Sequence, residues 1–148
     1  MTLLAIDPGL DTGWARSDGL CGTMSLRSCG DLGEQVVVFR SWLIGMVEDY
    51  RPSMLLVERP FGRVAGTILP SILCALVHGV GHAKLIPRRE FAAVTAKKAV
   101  TGSGRATKRE VMEAIIARGW KPRADHESDA AALIEAFRAM QALRVAAE

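Results

Sequence analysis

The chain has 148 residues, 49% of them hydrophobic and 24% charged, with a net charge of +3. This balance excludes general disorder and a membrane-embedded chain, and the length fits one domain spanning residues 1–148. The charge is uneven: residues Lys84 to Arg123 hold 11 Lys and Arg against 3 Glu, a balance of +8, leaving −5 elsewhere. A basic stretch beside scattered acids suits a polyanion partner, although basic residues can equally coat solvated helices.

Thr2 to Ile6 is an apolar run stopped by Asp7-Pro8-Gly9, the pattern of a buried strand ending in a tight turn. Gly13 to Arg16 and Leu20 to Arg27 read as two further strands, joined by the hairpin signal Asp18-Gly19. Val36, Phe39, Leu43, Met46, Val47 and Tyr50 recur at helical spacing, so a helix is predicted over Glu34 to Tyr50. Met54 to Val57 is fully apolar and reads as a central strand ending at Glu58. A helix is predicted within Val64 to Gly81, delayed or kinked by Pro70.

Lys84 to Ile86 reads as a short strand, after which Pro87 would open a helix running to about Val100. Thr101 to Thr107 is a glycine-containing loop. Lys108 to Arg118 reads as a helix stopped by Gly119, and Ser128 to Val145 as an Ala-rich terminal helix. The pattern predicts an α/β domain with a mixed five-stranded sheet, three antiparallel strands followed by parallel ones, and helices on its faces.

The three cysteines, Cys21, Cys29 and Cys74, lack metal-site spacing, and their odd number makes a poor disulfide framework. With no basic-then-apolar leader before the first strand, a reduced cytoplasmic protein is expected. The apolar stretch Ile68 to Val80 is interrupted by Pro70, Ser71, His78 and Gly79 and is too short to span a bilayer.

Chemistry is expected where carboxylates end apolar strands. An ionised carboxylate there is costly unless paired or metal-bound. Asp7 and Glu58 are two such groups, and neighbouring parallel strands would bring them within reach of one cation. In Asp125-His126-Glu127-Ser128-Asp129, His126 and Asp129 lie three apart and share a helix face.

Each feature has a plain alternative. Asp7 could cap a turn, Glu58 could pair with Arg59 or Arg63, Asp125 or Ser128 could cap the last helix, and His126 could be a surface residue. Convergence of all three groups would make an oxygen-rich site with one imidazole, which suits Mg²⁺ or Mn²⁺ better than Zn²⁺. The loop within Lys97 to Lys108 could turn backbone N–H groups toward phosphate, but it lacks the Walker A spacing.

These residues resemble a known family. AIDPGLDTGWA from Ala5, LLVERPF from Leu55, EFAAVTAKKAVTGSGRATKREV from Glu90 and HESDAAAL from His126 are similar to successive motifs of RuvC-type Holliday junction resolvases. The resemblance runs from Thr2 to about Ala142 and implies an RNase H-like fold. It also implies a metal-dependent endodeoxyribonuclease, acting as a homodimer, that makes symmetric paired nicks in four-way DNA and leaves 5′-phosphates. Asp7, Glu58, His126 and Asp129 would hold two Mg²⁺ ions, with Mn²⁺ able to substitute, and Lys108 would act with them in catalysis.

Phe61 would wedge into the junction centre, where its alternative is a core phenylalanine. Arg63, Lys97, Lys98, Gly102, Gly104, Arg105 and Lys108 would contact DNA. The short chain is similar to compact phage or prophage members, which implies a broader alternative, a nuclease of forks and flaps. Further alternatives are an RNA/DNA-hybrid nuclease and a non-catalytic junction-binding module on the same fold.

Overall fold

The computed structural model describes residues 1–61 and 65–148. Five strands, β1 (Leu3–Asp7), β2 (Asp11–Arg16), β3 (Cys21–Ser25), β4 (Met54–Glu58) and β5 (Arg88–Phe91), form one sheet in the order β3-β2-β1-β4-β5. β1 to β3 make an antiparallel meander, and β4 and β5 extend it with parallel pairings. The helices are α1 (Leu32–Tyr50), α2 (Ile68–Ala83), α3 (Ala93–Thr101), α4 (Lys108–Ala117) and α5 (Asp125–Ala146). Among the described residues no helix is long and apolar enough to cross a membrane.

Alternation along the central strands divides the core. Successive strand residues face opposite sides of a sheet. Leu4 and Ile6 of β1 and Leu55 and Val57 of β4 therefore pack with Phe39 and Leu43 of α1 and Leu73 and Val77 of α2. Leu3 and Ala5 of β1 and Leu56 of β4 pack on the other face with α3, α4 and α5, through Val100, Val111 and Ile134. Continuing the same alternation puts Asp7 and Glu58 on the α5 face.

Outside residues 84–92 the predicted elements hold in kind, with shifted boundaries. α1 starts two residues early because Asp31 caps it, its side chain accepting from the Glu34 N–H. α2 begins at Ile68, so Pro70 stands in its first turn, where the missing N–H costs nothing. α5 begins at Asp125 rather than Ser128. Its N-cap is Ala124, which has no side-chain cap bond, so neither Asp125 nor Ser128 plays that role.

The fifth strand differs most. Lys84 to Ile86 is not a strand: Lys84 caps α2 and Leu85 is left-handed at φ 56°. Pro87 leads into β5 instead of opening a helix, its carbonyl accepting from Leu55 N at 2.9 Å. α3 then starts only at Ala93. β5 is an edge strand with the sequence RREF, exposed at Arg88 and Glu90. Charged residues are normal on an edge, which hides such a strand from a search for apolar runs.

Candidate active site

The parallel register pairs Ile6 of β1 with Val57 of β4, so the next residues, Asp7 and Glu58, end neighbouring strands on one face. Strand spacing of about 4.8 Å sets their backbone separation. The third acid comes from α5, and a glycine lets it arrive. Gly13 on β2 pairs with Asp7, and a Cβ there would lie 1.8 Å from the His126 carbonyl oxygen. The first turn of α5 therefore rests directly on the β2 backbone beside Asp7, bringing Asp129 over the strand ends.

The electrostatics record this convergence. Burial pushes Asp7 well above the usual carboxylate range, and Glu58 and Asp129 raise it further while Lys108 opposes. Glu58 is pushed up to about 7, first by burial and then by Asp129, with Lys97 opposing. Burial also raises Asp129, against the pull of Lys97 and Lys108. Three desolvated carboxylates thus share one site with two lysines at its edge. Such an arrangement is costly when charged and is relieved by a cation.

His126 sits to one side of these acids. Its Nε2 lies 2.7 Å from Thr23 Oγ1 on β3. Thr23 Oγ1 also donates to Glu127 Oε1 at 2.7 Å. Having spent its one proton there, the hydroxyl accepts from His126, so Nε2 carries hydrogen and the Nδ1 of a neutral ring keeps its lone pair.

Glu127 is 2% exposed, and its second oxygen accepts from Arg123 N at 2.8 Å. It faces β3, whereas Asp125 is exposed and lies 3.8 Å from Lys108 Nζ. The sequence leaves open whether Asp125 or Glu127 assists at the metal site; both Glu127 oxygens are taken up by Thr23 and the Arg123 N–H, and Gly13 and Thr23 have no role in the sequence reading. Only Gly13 carries a signal, since a glycine within a strand marks close backbone approach.

The basic residues split into two groups. Lys97 on α3 and Lys108 at the start of α4 act on the acids. α4 is anchored there by a capping box between Thr107 and Glu110. Lys98, next to Lys97, turns to a different groove, between α3 and the C-terminal half of α5, with Val94, Met140 and Leu143. Gly102 caps α3 in a left-handed conformation, Gly104 lies against Val94, and Arg105 is exposed.

Phe61 is 94% exposed, which removes the core alternative. With Arg59, Pro60, Ala93 and Lys97 it lines a cavity of about 570 Å³ beside Glu58. Arg63 lies outside the described residues.

No family model matches the chain. Among curated proteins, it is 30% identical over 148 residues to the crossover junction endodeoxyribonuclease RuvC of Xanthobacter autotrophicus, covering 88% of this chain and 85% of the relative. It is 30% identical over 146 residues to the protein of that name from Prochlorococcus marinus, covering 90% and 95%. Its fold is similar to that of Thermus thermophilus RuvC solved with a Holliday junction substrate, with a TM-score of 0.81 at 20% identity, covering 97% and 96%. The yeast mitochondrial Holliday junction resolvase is a more distant fold neighbour, with a TM-score of 0.67 at 14% identity, covering 95% and 80%. These neighbours are resolvases of the RNase H-like kind, in agreement with the predicted fold.

Proposed function

Because the chain belongs to the RuvC family of crossover junction endodeoxyribonucleases, we propose that it is a metal-dependent endonuclease that resolves four-way DNA by paired nicks. The observation that carries the site assignment is the placing of Asp7 and Glu58 at the ends of neighbouring strands, with the first turn of α5 resting beside Asp7, so that the buried Asp7, Glu58 and Asp129 act on one another. An all-oxygen donor set of this charge fits a hard divalent cation, Mg²⁺ or Mn²⁺. Asp7, Glu58 and Asp129, with His126 beside them, would hold two such ions. When bound, the ions supply charge neutralisation at the phosphodiester and lower the pKa of the attacking water.

The protein's own groups do the remaining work. Lys108 and Lys97 offset the negative charge of the acids and would steady the charge that builds on phosphorus. In the hydrolysis, a water oxygen bonds to phosphorus and the P–O3′ bond breaks. A 3′-hydroxyl and a 5′-phosphate remain. Phe61, three residues beyond Glu58 and bare to solvent, is suited to entering the junction centre, Arg63 would add a phosphate contact near it in sequence, and Lys98 and Arg105 would add others along the basic segment. The amides of the loop at Gly102 and Gly104 would approach the backbone.

Paired nicking calls for two sites related by a twofold axis, hence a homodimer. The 148 residues would act as one domain, and the three free cysteines support a reducing compartment, the cytoplasm.

The test is a cleavage assay on four-way junction, fork, flap, RNA/DNA hybrid and linear duplex, with and without Mg²⁺. The expected result is Mg²⁺-dependent cutting of the junction at paired positions, well ahead of linear duplex. Equal cutting of forks and flaps would replace the resolvase reading with the broader branched-DNA nuclease. Preference for the hybrid, or junction binding without cleavage, would overturn it.

A further inference from the structure

On the opposite face of the sheet from the carboxylate pocket, Cys74 and His78 of α2 meet Glu90 of β5. Residues four apart share one helix face, which aligns the first two. Glu90 turns to α2 because its neighbour Phe91 packs on the α5 side. On the same side of β5, the Arg88 side chain lies against Gly81 of α2, where a Cβ would lie 2.4 Å from Arg88 Cδ. Two residues beyond Arg88, Glu90 then reaches the thiol and the imidazole. Its Oε1 lies 2.7 Å from His78 Nε2 and 3.8 Å from Cys74 Sγ. One ligand atom from each residue lies within 4.8 Å of the other two, a grouping found nowhere else among the described residues.

We propose that Cys74, His78 and Glu90 form a second divalent-metal site, selective for Zn²⁺, that ties α2 to the edge strand. Sulfur and imidazole donors favour Zn²⁺ over Mg²⁺, the reverse of the carboxylate pocket. Tetrahedral ligands around Zn²⁺ stand roughly 3.3–3.5 Å apart. The His78–Glu90 pair therefore opens by about half an ångström to admit the ion, a side-chain adjustment. His78 and Glu90 are each 36% exposed, which leaves a fourth position for water. On binding, the Cys74 thiol gives its proton to solvent and the thiolate takes the metal. A bare His–Glu pair at this exposure would contribute little to stability and gives the buried thiol no role.

Titration of the full chain with Co²⁺, followed by the near-ultraviolet thiolate-to-metal charge-transfer band, tests the site. The band is expected in the unmodified chain, in Asp7→Asn and in the Cys21→Ser/Cys29→Ser double variant. It is expected to vanish in Cys74→Ser. The exposed variants His78→Gln and Glu90→Gln guard against misfolding, and each should weaken Zn²⁺ binding by more than about tenfold, judged by competition with a chromophoric chelator. In an Asp7→Asn background, Zn²⁺ should raise the Tm less when Glu90→Gln is added than when it is not. Millimolar Mg²⁺ should not displace the Co²⁺ signal. Absence of the band, its survival in Cys74→Ser, displacement by Mg²⁺, or indifference to both glutamine substitutions would overturn the proposal. None of these outcomes bears on the nuclease reading, which uses the other face of the sheet.

Discussion

At the scale of single residues, the proposed site trades stability for chemistry. The pKa of Glu58 lies near 7 in the fold, above its unfolded value. A carboxyl raised in this way contributes stability that is complete below its unfolded pKa and is lost as pH rises through the folded one. Asp7 shifts in the same direction. Without metal, the protein should therefore lose stability between about pH 5 and 8. Asp7→Asn should recover stability at pH 8, read as a higher Tm than the parent in chelator, while abolishing cleavage and sparing junction binding. Thermal melts in chelator and a gel-shift assay check both halves, and full activity in this variant would remove Asp7 from the site.

The same shift makes metal binding depend on pH. Mg²⁺ affinity, measured by calorimetry, should fall as pH drops below about 7, because the proton and the cation compete for Glu58. A flat profile down to pH 5.5 would contradict the assignment. Phe61 is a residue-scale matter too, since almost nothing in the fold supports it. Phe61→Ala should leave the unfolding free energy within about 0.5 kcal/mol of the parent. It should also reduce base unstacking at the junction centre, read from 2-aminopurine fluorescence. Unchanged unstacking would dismiss the wedge.

At the scale of elements, the site depends on one approach, that of α5 onto β2. Gly13 allows it, and no side chain can be accommodated beneath the His126 carbonyl, which is backbone and cannot rotate away. Gly13→Ala should lift the first turn of α5 from the sheet. The expected cost exceeds about 2 kcal/mol, with loss of metal affinity, because Asp129 rides on that turn. Chemical denaturation and Mg²⁺ titration would test this, and native stability with native affinity would show that α5 docks by other contacts. The Thr23–His126–Glu127 bonds bind the same turn to β3. The helix is therefore held over the strand ends from two strands at once.

At the scale of the molecule, the sheet separates two chemistries. Hard oxygen donors gather on the α5 face, and a thiol, an imidazole and a carboxylate gather on the α2 face. Paired nicking adds a requirement that one chain does not meet alone, a second site in fixed relation to the first. Sedimentation equilibrium should give a dimer at micromolar concentration, and a junction with one strand blocked should still be nicked on the other. A strictly monomeric protein that cuts both strands would remove the need for twofold symmetry.

The sequence by itself determined the strand-ending acids, the meander and the helix spacing, because these are local: an apolar run stopped by Asp7 or Glu58 needs no tertiary knowledge to read. It also carried the family, through motifs of fixed spacing. What it concealed was long-range or edge-bound. β5 was masked by Arg88, Arg89 and Glu90, whose charges are tolerated only because the strand has one free edge. Lys97 and Lys98 look alike in sequence, yet of the two only Lys97 acts on the acids, since adjacent helix positions point about 100° apart. The partnerships of Thr23 with His126 and of Cys74 with Glu90 join residues 103 and 16 positions apart. Only the packing of helix on sheet decides such meetings, because side-chain contact depends on distance in space and not along the chain.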